Sequence, residues 1–230
     1  MNIIDVVVIL IILMSGIVGF KRGVFKELVM TVGFLIVFVI AYFFKNPLAQ
    51  WLSFNLPFFK FGNVFMGIGI INVIFYEFVA FFIIFSLIMI VFKIILTVTN
   101  IFEKILKFTI VLGIPSKILG LIVGLIEGYI VGFCIMFFFS GPMFGDLTYT
   151  SKLKEPMLKN TPVLTPIVRE FNDTIIDVYN LKSSTNDAKQ LEEDITIVLL
   201  KHKIVDYNYL IKLKDTGKIN VDKKVLDKYK

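Results

Sequence analysis

The chain has 230 residues, of which 57% are hydrophobic and only 18% charged, with a formal net charge of +6. Soluble domains average roughly 45–50% apolar and about 25% charged, so this make-up excludes an ordinary soluble protein and points to an integral membrane one. The positive excess does not point to nucleic acid: residues 1–145 hold 9 of the 24 Lys and Arg and 5 of the 18 Asp and Glu, and the remaining 15 and 13 nearly balance in a water-exposed tail.

The first apolar run, Ile3–Phe20, is read as a membrane span with Asp5 near enough to its end to reach headgroups. It has no basic segment before it and no small-residue cleavage site before Lys21, which predicts a retained span rather than a signal peptide. The second span is expected over Val24–Phe44, ended by the Lys45-Asn46-Pro47 breaker and followed by an interfacial loop with Trp51, Pro57 and Lys60. Gly19 and Gly23 are expected to permit the tight hairpin between these two spans. Lys21, Arg22 and Lys26 would anchor it in headgroups, with Glu27 bonded locally to Arg22 or Lys26.

Phe61–Phe92 is interrupted by a single charge, Glu77. A straight helix of that length would measure roughly 48 Å against a hydrocarbon core of roughly 30 Å. The expectation is a division near Gly67-Ile68-Gly69, with a short interfacial or re-entrant piece up to about Tyr76 and a true span over Glu77–Leu96. From Lys93 to Lys107 the polar residues Lys93, Thr97, Asn100, Lys104 and Lys107 recur at helical spacing. That pattern suits a surface-lying amphipathic helix, or equally an extension of the third span. Leu112-Gly113-Ile114-Pro115 then turns the chain into a fourth span, Ile118–Phe139, closed by Ser140-Gly141-Pro142.

The fold expected is an all-α integral membrane protein of about four transmembrane helices with a C-terminal amphipathic helical tail. Its units are a four-span membrane domain over 1–145, an extramembrane amphipathic segment over 146–182, and a helical or partly disordered extension over 183–230. In the tail, Thr165-Pro166 is a good helix start, and Ile167, Phe171, Ile175 and Val178 make an apolar stripe. After the linker-like 182–186, a second helix is expected over Asp187–Lys201, with Leu191, Ile195, Val198 and Leu199 on one face. Seven cations flank the first and third connections (Lys21, Arg22, Lys26, Lys93, Lys104, Lys107 and Lys117) and two the second (Lys45 and Lys60). This asymmetry predicts that the first and third connections are cytoplasmic and both termini lie outside.

Two patterns carry a resemblance. Asp5, Gly19, the Arg22-Gly23 pair, Glu27 and Gly33 resemble the opening of the colicin V production protein family, and "GIPSKILGLIVGLIEGYIVG" resembles that family's second signature. Lys117 stands where the family usually has a basic residue, whereas Ser116 departs from its acidic or amide neighbour. The resemblance spans about residues 1–180. It implies a small multi-span protein of the bacterial inner membrane, linked to toxin production or export and to envelope function, with no established reaction.

Within that signature Gly120, Gly124, Gly128 and Gly132 recur at intervals of four, and Ser116 extends the ridge backward. Such a stripe lets another helix approach closely. It is either an oligomer or partner interface or a contact with another span of the same chain, and general usage favours the second. Glu127 lies on the edge of the stripe, roughly 14 Å along the helix from Ile118 and about 60° round from Gly124. No cation is expected at its depth. An acid there marks a proton relay, an ion path or an interhelical hydrogen bond, or is simply a carboxyl bonded to Tyr129 or Tyr76. Glu77 is a second candidate of the same kind.

No catalytic constellation is present. Cys134 is the only cysteine, which excludes an intramolecular disulfide and a cysteine-based zinc site, and His202, the only histidine, sits in the polar tail. The expectation is a non-enzyme with no cofactor. Its surroundings would be the lipid bilayer, a possible homo-oligomer and an unknown envelope or secretion protein. It would act as an accessory or scaffold factor through helix packing. The rival is a subunit of an oligomeric channel or transporter with Glu127 on a solute or proton path.

Overall fold

A computed structural model describes residues 2–60, 67–99, 101–141, 145–184 and 187–229, the side chains of 101–112, 145–146, 183 and 229 excepted. Helices α1 (Ile3–Arg22), α2 (Val24–Asn55), α3 (Ile71–Val98) and α4 (Ile101–Phe139) make up the first part. Gly113 breaks α4 with a positive φ of 55°, at the predicted turn, so that the spanning portion is Gly113–Phe139. All four are long and apolar enough to cross a membrane. The tail folds into α5 (Gly145–Thr148), α6 (Lys154–Asn160), α7 (Leu164–Ser184), α8 (Ala188–Lys201), α9 (Tyr207–Asp215) and α10 (Lys223–Leu226), then a 3₁₀ turn. The protein is an all-α membrane protein, with no strand among the described residues.

Chain neighbours are not the main packing partners. Helix α1 runs antiparallel along α4, bringing Val8 to Gly132, Ile12 to Gly128 and Gly19 to Gly120. Helix α2 lies between α4 and α3, giving the spatial order α1, α4, α2, α3. The α1–α2 hairpin turns on Gly23, whose φ of 78° is a conformation that side chains with a Cβ resist. Gly19, in contrast, is placed by its contact with α4 rather than by the hairpin.

Several expected boundaries move. Helix α2 does not stop at Lys45-Asn46-Pro47: it runs through Pro47 to Asn55 and carries Trp51 on the helix instead of a loop. The bond lost at proline is outweighed by burial beyond it, since Ala49 and Leu52 pack against Tyr76 and Ala80 of α3. The third span starts at Ile71, six residues earlier than expected, because Asn72 ties its first turn to the preceding segment through the N–H and C=O of Phe59. Of the proposed re-entrant piece, residues 61–66 lie outside the described residues. The surface helix expected over Lys93–Lys107 is divided instead, its first part ending α3 at Val98 and its second opening α4. Helix α7 continues through Lys182 to Ser184, so the expected linker is shorter; 185–186 lie outside the described residues.

The tail docks on the bundle end that holds the start of α1 and the ends of α2 and α4. Phe171 of α7 inserts between span aromatics, 5.0 Å from Phe78 and 5.6 Å from Phe137. Such pairs add about 0.5–1.5 kcal/mol each beyond area burial. Lys218 donates to the carbonyls of Ser53, Phe54 and Leu56, at 2.5, 2.9 and 2.8 Å, and so caps the C-terminus of α2. Glu192 of α8 accepts from the Ile70 and Asn220 N–H groups at 3.1 and 3.3 Å. The tail, whose last residues were expected to be helical or partly disordered, thus shares one continuous core with the membrane bundle.

Candidate functional site

The glycine ridge is filled from within the chain. A Cβ on Gly124 would run into the Ser15 carbonyl oxygen, one on Gly120 into Gly19 and Gly23, and one on Gly128 would lie 2.7 Å from the Ile12 Cα. Ser15, Gly19 and Gly23 form the opposing stripe on α1, so backbone meets backbone on both sides. Ser116 extends the ridge as expected and adds a polar contact: it is buried, and its hydroxyl accepts the Val24 N–H at 3.3 Å. Of the two readings of the stripe, the structure gives the contact between spans of one chain.

Close approach of α1 and α4 brings three charged side chains together. Side chains on a helix lean toward its N-terminus. Glu127 therefore leans along α4 toward the hairpin end, while Arg22, at the end of α1, leans back toward the membrane. They meet Glu27 in the first turn of α2. Arg22 Nη1 lies 3.5 Å from Glu27 Oε2, which bears out the expected local pair. Glu127 makes side-chain contact with Glu27 within hydrogen-bonding reach and feels the attraction of Arg22. The expectation that no cation is available to Glu127 is thus corrected: Arg22 lines the same groove and attracts it, though from beyond ion-pair distance.

This cluster forms the polar floor of a groove of about 400 Å³ walled by Val7, Leu10, Ile11, Met14 and Val18 of α1. Leu10 and Met14 are more than half exposed, so the groove opens sideways toward lipid. Glu27 itself is fully buried. Among the described residues its Oε1 and the Oε2 of Glu127 have no hydrogen-bond partner, and neither does the buried hydroxyl of Thr31 one turn along α2. Two carboxyls in contact can hydrogen-bond only through a shared proton. The remaining oxygens are acceptors held ready for a donor.

The other predicted residues are placed differently. Glu77 is buried and paired with the buried Lys45, which bridges α3 and α2 and also donates to Asn46 at 3.0 Å. Asp5 is 1% exposed and accepts from the Ser151 hydroxyl at 2.5 Å and the Lys152 N–H at 3.2 Å. Gly33 leaves room for the ring of Phe92. Lys117 is exposed and stands apart from the cluster. Cys134 is buried, and His202 lies 2.9 Å from Asp177 on the tail surface. Among the described residues no group of His, Cys, Asp and Glu has the arrangement of a metal site.

Sequence reasoning missed Lys45 as the partner of Glu77, and the Ser15, Gly19 and Gly23 stripe as the partner of the ridge. The second had a signal, since those three residues are also spaced by four. The first had none, because a cation beside a proline reads as the end of a span.

The family model described as colicin V production protein matches residues 4–168. Neither a curated protein nor a solved structure matches the chain. With most of its length covered by the match, the chain belongs to the colicin V production protein family.

Proposed function

We propose that the chain is an accessory factor of the bacterial cytoplasmic membrane in toxin production or export and in envelope upkeep, and that it holds a transmembrane helix of an envelope or secretion partner against the Arg22–Glu27–Glu127 groove. The observation that carries this reading is the pair of partnerless carboxyl oxygens at the floor of a groove whose apolar wall faces lipid. Polar groups in hydrocarbon are costly to leave unpaired, and a donor on a docking helix would satisfy them. Hydrogen bonds between membrane helices add about 0.6–2 kcal/mol each, enough to orient a partner already concentrated in the bilayer. Family membership supports the toxin and envelope context. The glycine ridge takes no part in docking, since α1 fills it, and no enzymatic chemistry is proposed.

Orientation belongs to the same proposal. The bundle end opposite the docked tail carries Lys21, Arg22, Lys26 and Lys117, which favours placing that end in the cytoplasm and the tail outside.

The test is complementation of cells lacking the chain, read as secreted toxin titre and envelope permeability to a dye. Wild type restores both, and the Glu27→Gln/Glu127→Gln double variant restores neither although it accumulates to normal level. A photo-crosslinker at Met14 yields a discrete adduct that the double variant loses, whereas one at Phe43, also well exposed but away from the groove, does not. Full activity of the double variant sinks the proposal. Ion conductance in proteoliposomes that is abolished by Glu127→Gln replaces it with the channel reading.

A further inference from the structure

A second cavity lies where the tail meets the bundle. It measures about 870 Å³ and is framed by Ser140 at the end of α4, the segment 149–159, and the Asn172–Asn180 face of α7. One side is apolar, with Leu158, Ile175 and Ile176. The other carries cations. Lys159 is paired with Glu155 at 2.8 Å, but Lys152 and Lys154 have no carboxylate within salt-bridge distance among the described residues. Lys154 is half-buried, and desolvation holds its ammonium below the usual lysine range. Asn172 is 6% exposed and lines this cavity, yet its amide makes no hydrogen bond among the described residues. Its amide donors are thus open to an occupant of the cavity.

Height in the membrane narrows the occupant. The Lys152 N–H and Ser151 hydroxyl bond to Asp5 in the first turn of α1, so the cationic wall stands level with the end of a span. Ile176 is partly exposed at the rim, and Tyr149 is 86% exposed beside it. Aromatic and basic residues at that height are the usual company of lipid headgroups. We infer that this cavity binds the headgroup of an anionic phospholipid, with the phosphate between Lys152 and Lys154, the Asn172 amide donating to it, and an acyl chain leaving past Ile176. The lipid would thus bridge α6 and α7 to the bundle and help seat the tail.

Native mass spectrometry of the full-length protein tests this, with phosphatidylglycerol and phosphatidylethanolamine offered at equal concentration. One phosphatidylglycerol is retained over the zwitterionic lipid by about thirtyfold, the ratio two lysines near an anionic surface supply. The Lys152→Gln/Lys154→Gln variant, altered only where side chains are exposed or half-buried, loses that preference and keeps its fold. A Lys224→Gln/Lys228→Gln variant, on a distant face of the tail, keeps it. Equal retention of both lipids by wild type overturns the inference, as does an unchanged preference in the Lys152/Lys154 variant. Displacement of the lipid by millimolar inorganic phosphate overturns the lipid assignment in favour of a soluble anion.

Discussion

Buried acids at the two ends of the bundle live under opposite conditions. At the tail end, Asp5 accepts from the Asn2, Lys152 and Leu153 N–H groups and the Ser151 hydroxyl, and Glu192 from backbone N–H groups on both sides of it. At the hairpin end, Glu27 and Glu127 face each other with one guanidinium beside them and, among the described residues, leave an oxygen apiece without a donor. A carboxylate wrapped by backbone donors is a fastener, since its removal strands several N–H groups at once. A carboxyl with spare acceptor capacity in a lipid-facing groove stabilises little where it is, and under the proposed docking its spare oxygen serves the partner.

The contrast depends on α1 lying flush against α4, because that contact sets the position of Asp5 at one end and of Arg22 at the other. Gly124→Leu should therefore have the largest effect of all. Its side chain would meet the Ser15 carbonyl and the Gly19 Cα, backbone atoms that cannot swing aside. The loss should exceed the roughly 1–3 kcal/mol of ordinary overpacking, and no folded monomer should be recovered from detergent by size exclusion. Recovery of a stable monomer that has lost only self-association would instead make the ridge an oligomer contact.

Next comes the fastener. Asp5→Ala strands the Ser151, Lys152 and Leu153 donors and should cost about 3 kcal/mol, freeing the segment that leads into α6. Limited proteolysis should cut near 147–153 in the variant and not in wild type. Equal protection of both would mean that Asp5 is a headgroup contact, as its position near the end of the first run first indicates.

How much of this was readable beforehand follows from the range of the interactions. Four spans, the break at Gly113 and the stripe at 120–132 were legible, because each is written in local hydropathy, a φ-permissive residue or a fixed spacing. The Arg22–Glu27 pair was legible for the same reason, five residues apart on one hairpin. What pairs across the bundle was not: the order α1, α4, α2, α3 decides that Glu127 meets Glu27 and that Lys45 meets Glu77. Continuation of α2 through Pro47 was hidden as well, since the packing of Ala49 and Leu52 on Tyr76 and Ala80 overrides the local cost of proline.

Glu192 lets the fastener side be read by pH. Burial, only partly offset by the N–H groups of Ile70, Asn220 and Gly69, holds its carboxyl above the usual glutamate range. The folded protein therefore keeps this proton at pH values where the unfolded chain has lost it. Its contribution is full below the ordinary value near 4.5 and declines as pH rises through the raised one. Thermal melts should show the tail loosening across that window in wild type. Glu192→Gln should lower stability by about 1–2 kcal/mol and flatten the slope. A slope unchanged in the variant would assign the pH response to another group.

The smallest expected effect on stability falls on the residue with the largest expected effect on function. Glu127→Gln keeps the shape of the side chain, supplies a permanent donor toward Glu27, and removes no bond to the partnerless Oε2. Its melting free energy should stay within about 1 kcal/mol of wild type, where Asp5→Ala loses about three times as much. Toxin export should nevertheless fall, because the neutral amide oxygen left facing the groove accepts more weakly than a carboxylate oxygen and offers no charge to a docking helix. Glu127→Asp, shorter by one methylene but still an acceptor, should recover part of the export at equal stability. If Glu127→Gln instead unfolds the protein as Asp5→Ala does, the hairpin acids are fasteners too, and the distinction between the two ends disappears.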